Sequence, residues 1–108
     1  MTATATRTRT PKTDEAATRQ IIAALLAAGY VLDHVYYGDD DEVKVSTVDE
    51  AWDAIDAVDD AFVYFKHPDR PNASPWVEFI LGNSPEEVAA NYVDSLDPII
   101  DPVMRSWW

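Results

Sequence analysis

From position 14 onward, apolar residues recur at the helical period. Ile21, Ile22, Leu25 and Leu26 fall on one face, Thr13 stands at a capping position, Asp14 and Glu15 suit a first turn, and Gly29 supplies a stop. This spacing predicts a helix over 14–28. The run Tyr30 to Tyr37 is rich in Val and Tyr, and Val43 and Val45 share one face of a second short run. With the acidic, Gly-led stretch 38–42 between them, they predict a β-hairpin. Thr47 and Glu50 have capping-box spacing, and Val48, Ala51, Trp52, Ile55 and Val58 mark one face of a helix over about 48–59.

Phe62 to Phe65 and Trp76 to Leu81 are continuous aromatic and β-branched runs, and the link 67–75 between them carries three prolines, which predicts an irregular loop. Ser84, Pro85 and Glu87 read as an N-cap, an N1 proline and a capping-box partner, so a third helix is expected there with Val88, Ala89, Tyr92 and Leu96 inward. Pro98 and Pro102 restrict the residues before them, so the chain after Asp97 should kink or restart as a short helix. The predicted order is α-ββ-α-ββ-α, an α+β domain in which a four-stranded antiparallel sheet carries its helices on one face. The domain spans 13–108. Residues 1–12 alternate Thr with Ala and Arg, hold no large apolar residue after Met1, and predict a disordered basic tail.

Composition narrows the chemistry. The chain has 108 residues and no cysteine, which excludes a disulfide framework, thiolate zinc sites, iron–sulfur clusters and a thiol nucleophile. Its longest apolar run, Ile21 to Leu26 with flanking alanines, is far short of the ~20 residues of a membrane span. The first ten residues lack the apolar stretch of a secretory signal. A soluble, cytoplasmic protein is expected. Twenty acids against eight Lys and Arg leave a net charge of -12, so direct binding to DNA or RNA through a basic surface is disfavoured and a basic partner is the natural complement.

The acids are concentrated. Residues 1–19 carry four bases (Arg7, Arg9, Lys12, Arg19) and two acids, whereas residues 39–60 carry ten acids against Lys44 alone. Within the second predicted helix, Asp49, Asp53, Asp56 and Asp60 fall within about 60° of one another at 100° per residue. That stripe of like charges destabilises an isolated helix, and together with Asp39, Asp40, Asp41 and Glu42 it resembles a row of phosphates. Two readings stay open. The stripe is a binding surface for the nucleic-acid groove of another protein, or it is a solvated face in a chain whose source is salt-adapted or GC-biased, as fourteen Asp, six Glu and three Lys would also suggest.

Signals for catalysis are sparse, and a non-enzymatic protein without cofactor is expected. Asp39 to Glu42 offer hard oxygen ligands, but the twelve-residue calcium-loop spacing is absent, so no metal is assigned. His34 and His67 have no metal-motif spacing, and the serines lack a nucleophile elbow. Glu78, inside WVEFIL, is the one acid with the apolar flanks a raised-pKa general acid needs; the simpler expectation is that it faces solvent from the open side of the sheet. Trp52, Phe62, Tyr64, Phe65, Trp76, Phe79 and Tyr92 are read as core and cross-strand packing. Trp107 and Trp108 end the chain, and either fold back onto the domain or anchor a partner.

The segment Trp76 to Tyr92, WVEFILGNSPEEVAANY, resembles a strand–LGN–helix pattern, WVxFxLGNxPxEVxxxY, in small uncharacterised prophage and mobile-element proteins, and VDEAWDAIDAVDDAFVYF before it is similar in layout. Asn91 stands where such proteins often carry an acid. The resemblance brings no catalytic residues. It implies genomic company that includes acidic, DNA-mimicking inhibitors of the anti-CRISPR and anti-restriction type. The expected function is therefore that of an acidic interaction protein blocking the basic groove of a host defence complex, through Asp39, Asp40, Asp41, Glu42, Asp49, Asp53, Asp56, Asp60, Trp107 and Trp108. The alternative is a small acidic housekeeping or regulatory domain acting as a homodimer through its sheet or its terminal tryptophans.

Overall fold

The computed structural model of the chain describes residues 11–107. Helix α1 (Asp14–Ala27) begins as its capping residues dictate, with the Thr13 hydroxyl accepting the Ala16 N–H at 3.0 Å. It ends where Gly29 adopts φ 100; a side chain there would both strain the backbone and come within 2.9 Å of the His67 ring. Strands β1 (Val31–Gly38) and β2 (Asp41–Lys44) form the expected hairpin. Helix α2 (Val48–Asp56) starts with a complete Thr47–Glu50 capping box. Strands β3 (Asp60–Lys66), β4 (Trp76–Ile80) and β5 (Ala89–Tyr92) follow, and helix α3 (Asp97–Arg105) closes the order. Of the expected tail, residues 1–10 lie outside the described residues; Pro11 is buried.

The sheet is antiparallel with strand order β2-β1-β3-β4-β5, five strands where four were expected. The correction falls at the third helix. Pro85–Glu87 form only one 3-10 turn, and the chain then extends into β5 and pairs with β4 through Val77–Tyr92 and Glu78–Asn91. The Ser84 hydroxyl makes no cap hydrogen bond, and the Ile80 N–H instead donates to the Val88 carbonyl at 2.9 Å. Pairing the edge of β4 outweighs the helix that Ser84, Pro85 and Glu87 would start, even though Val88, Ala89, Tyr92 and Leu96 would give that helix an apolar side. The chain after Asp97 does restart as a helix, with Pro98 in its first turn and Pro102 inside it.

One face of the sheet builds the core. Leu32, Val35, Ala61, Val63, Phe65, Val77, Phe79 and Ala89 are buried against Ile21, Ile22 and Leu25 of α1, Ala51, Ala54 and Ile55 of α2, and Ile100 of α3. Strict alternation along β3 sends Ala61, Val63 and Phe65 inward and leaves Asp60, Phe62, Tyr64 and Lys66 on the other face. A bulge at Asp33 in β1 keeps Leu32 and Val35 in the core across the extra residue.

The hairpin tip carries a cost. Asp39 and Asp40, the two loop residues between Gly38 and Asp41, have φ 54 and 60, the left-handed pair of a type I′ turn, where Asn-Gly is preferred. The double substitution Asp39→Asn, Asp40→Gly is expected to stabilise the fold by about 1 kcal/mol, because αL backbone is disfavoured for residues with a Cβ. It should raise the thermal midpoint by about 4–8 °C for a domain of this size. An unchanged midpoint in calorimetry would contradict the turn geometry.

Candidate acidic surface

The acids separate into three groups once the fold is formed. Asp39, Asp40, Asp41 and Glu42 are exposed at the hairpin tip and the start of β2. Asp53 and Asp56 are exposed on α2. Of the remaining members of the predicted stripe, Asp60 is displaced from it and Asp49 is paired. Helix α2 stops at Asp56 because Asp59 turns the chain at φ 66, and Asp60 therefore begins β3 on the sheet face that the helices do not cover. Asp49 stays on the helix but is bridged by Arg19 of α1, Nη1 to Oδ1 at 2.6 Å, while the Arg19 Nε donates to Glu15 at 2.9 Å. Asp49 and then Glu15 hold the Arg19 guanidinium above its ordinary pKa. Glu50 is committed to the capping box, where the Ser46 N–H and hydroxyl and the Thr47 N–H hold its carboxyl below the usual range.

The hairpin and α2 meet along one open groove of about 360 Å³, lined by Tyr37, Val43, Lys44, Val45, Glu50, Asp53, Ala54 and Ala57. Val43, Val45, Ala54 and Ala57 give it an apolar floor, and its charged lining is Glu50, Asp53 and Lys44; Asp56 and the acids at 39–42 lie outside it. A second hollow of about 390 Å³ lies along a different side of α2, where Asp56, Asp59 and Trp52 face Asp14 and Glu15. Asp14 there accepts the Gly82 N–H at 2.9 Å and so ties α1 to the β4–β5 connection. Among the described residues Asp39, Asp40, Asp41, Glu42, Asp53 and Asp56 form no ion pair, and no group of three or more potential ligands could hold a metal ion.

Trp107 is not an exposed anchor. It is 5% exposed, packs into the core at the end of α3, and donates its indole N–H to the Gln20 Oε1 at 3.1 Å. Of the two expectations for the terminal pair, folding back is the one realised for Trp107; Trp108 lies outside the described residues. No helix among the described residues is long and apolar enough to cross a membrane.

Sequence reasoning missed a second feature. Phe62, Tyr64 and Trp76, expected as core and cross-strand packing, make their cross-strand contacts on the open face of the sheet with His34 and Tyr36, all half-buried. His34 stacks on Tyr64 at 4.5 Å, and Phe62 meets Trp76 edge-on at 5.2 Å. Period-2 alternation was the available signal, hidden because both phases of β3 are apolar. Glu78 lies on this face as expected and accepts from the Asn91 amide at 3.4 Å. Burial, and then a hydrogen bond with Asp60, push its carboxyl up. The folded chain therefore takes up this proton more readily than the unfolded one. The stability linked to the group is full below the unfolded pKa and is lost as pH rises through the raised folded value. Glu78→Gln is expected to raise the midpoint by about 1–3 °C at pH 7, with the difference from wild type closing near pH 4; a constant difference across that range would refute the shift. Asp33, held down by its 2.6 Å hydrogen bond to His34, has the opposite sign and acts equally in both proteins.

Neither a family model, nor a curated protein, nor a solved structure matches this chain.

Proposed function

We propose that this chain is a non-enzymatic interaction protein whose acidic surface, made by the β1–β2 turn and the outer side of α2, occupies a basic surface on another protein. The observation that carries the reading is that the exposed acids of two segments, Asp39, Asp40, Asp41 and Glu42 at the β1–β2 turn and Asp53 and Asp56 on α2, form no ion pair among the described residues, while Asp53 stands at an open, apolar-floored groove between the hairpin and α2. A solvated face has no need of that floor, whereas an interface uses apolar contact for affinity and surrounding charge for steering and selectivity. In its most concrete form the partner is the nucleic-acid groove of a host defence complex, and the protein is an inhibitor of the anti-CRISPR or anti-restriction type. The resemblance of Trp76 to Tyr92 to mobile-element proteins supports that form through its sequence pattern alone, since this segment folds as strand, 3-10 turn and strand rather than strand and helix.

The test is affinity capture from bacterial lysate with wild type beside the variant Asp39→Asn, Asp40→Asn, Asp53→Asn, Asp56→Asn, at low and moderate salt. The proposal expects a nucleic-acid-binding complex that wild type retains, salt weakens and the variant fails to hold. Identical capture by the two proteins would overturn it. Asp49 and Asp60 are left in place because one is paired with Arg19 and the other lies on the opposite face.

A further inference from the structure

The open face of the sheet has a charge layout that a solvated surface does not require. Cross-strand register places Glu42, Tyr36, Phe62 and Glu78 in one row and Lys44, His34, Tyr64 and Trp76 in the next but one. Between them runs the row Val43, Val35, Val63, Val77, of which Val35, Val63 and Val77 point into the core. Beyond the two rows, β3 ends in Asp60 on one side and Lys66 on the other. The face thus has an acidic end, a middle of five half-buried rings and a basic end, at which Asp33 pairs with His34 and lies 3.9 Å from Lys44.

This layout is self-complementary under one operation. A two-fold axis lying over the valine row, perpendicular to the strands, turns the face onto itself with strand direction reversed. It sets Asp60 over Lys66 of the other copy, Glu42 over Lys44, Phe62 over Tyr64, Tyr36 over His34 and Glu78 over Trp76, and each contact occurs twice. The alternative axis, along the strands, would set acid on acid. From these positions we infer that the open face of the sheet joins two copies of this chain in an isologous, face-to-face sandwich. Two aligned sheets interdigitate their facing side chains at a spacing of about 10 Å, which would cover the rings. Five strands at about 4.8 Å spacing and up to eight residues at about 3.3 Å give a face whose pairing buries on the order of 1,000 Å² in total. That is the low end for specific association, so the dimer should be reversible and concentration-dependent.

The inference is independent of the proposed function. Helix α2 lies behind the sheet and the hairpin tip at its margin, so the dimer leaves Asp39, Asp40, Asp53 and Asp56 of each copy outward and takes only Glu42 of the acidic surface into its interface. It also keeps the most acidic parts of two chains of net charge -12 apart.

Sedimentation equilibrium of the full chain at 150 mM salt, from micromolar to millimolar concentration, tests it with three variants. Wild type should pass from monomer to dimer. Asp60→Lys and Lys66→Glu alone should each weaken the dimer by about tenfold, since each turns the two opposite-charge contacts that flank the axis into like-charge ones. Combined, Asp60→Lys with Lys66→Glu should restore it. Both positions are exposed, and circular dichroism checks that each variant is folded. A monomer at every concentration, a dimer indifferent to the single variants, or a double variant that fails to recover would each overturn the inference; the last two would place a different contact or partner on this face.

Discussion

Trp107→Ala is expected to destabilise the domain by about 3–5 kcal/mol, the usual range for emptying a buried aromatic site. The residue is near the end of the chain, where a truncation would ordinarily pass unnoticed, but here the indole fills the space between α3 and α1 and satisfies Gln20. The loss has two parts. Most is packing, and a smaller share is the Gln20 hydrogen bond, worth about 1 kcal/mol. Trp107→Phe should therefore recover the greater part of the stability, leaving a deficit of about 1–2 kcal/mol. Urea denaturation followed by far-UV circular dichroism reads both. A cost below about 0.5 kcal/mol for the alanine variant, as at an ordinary surface position, would mean that the side chain does not fold back as described. Because domains of this kind are held by only about 5–15 kcal/mol, the alanine variant should also unfold at markedly lower temperature.

Neutralising Asp39, Asp40, Asp53 and Asp56 together should have the largest effect on binding and almost none on the fold. All four are exposed and outside ion pairs among the described residues. Their mutual repulsion is relieved by asparagine, which tolerates the left-handed backbone at positions 39 and 40 at least as well as aspartate. The midpoint should be unchanged or higher. Association with a basic groove should weaken by about a hundredfold, chiefly through slower encounter, because steering depends on the summed field of the surface. Asp49→Asn is a useful contrast. Removing one of the two carboxylates that Arg19 grips leaves it paired with Glu15, so the variant should lose a little stability while changing association less than Asp53→Asn does.

Local signals were legible and long-range ones were not. The starts of α1 and α2 followed from Thr13 and from the Thr47–Glu50 box, whose partners lie within three residues. The hairpin followed from its acidic turn. Strand β5 was hidden because Ser84, Pro85 and Glu87 are a sound start signal that yields one 3-10 turn, while the decision to extend is made by the unpaired edge of β4, brought alongside only in the fold. The acidic stripe was half right for a similar reason. Periodicity placed Asp53 and Asp56 together, but it could not show that Asp59 would break the helix before Asp60, nor that Arg19, thirty residues away, would bridge to Asp49. Phe62, Tyr64 and Trp76 read from the sequence as core and cross-strand packing without a choice of face; only the register of β3 against its neighbours divides them from Val63 and Phe65.

The sharpest measurement is competition between this protein and duplex DNA for the captured complex. Fluorescence anisotropy of labelled DNA bound to that complex should fall as wild-type protein is added, with displacement complete near one acidic surface per groove. The variant lacking Asp39, Asp40, Asp53 and Asp56 should leave the DNA in place at the same concentrations. DNA that stays bound while wild-type protein is simultaneously bound to the complex would contradict the proposal that the acidic surface occupies a nucleic-acid groove.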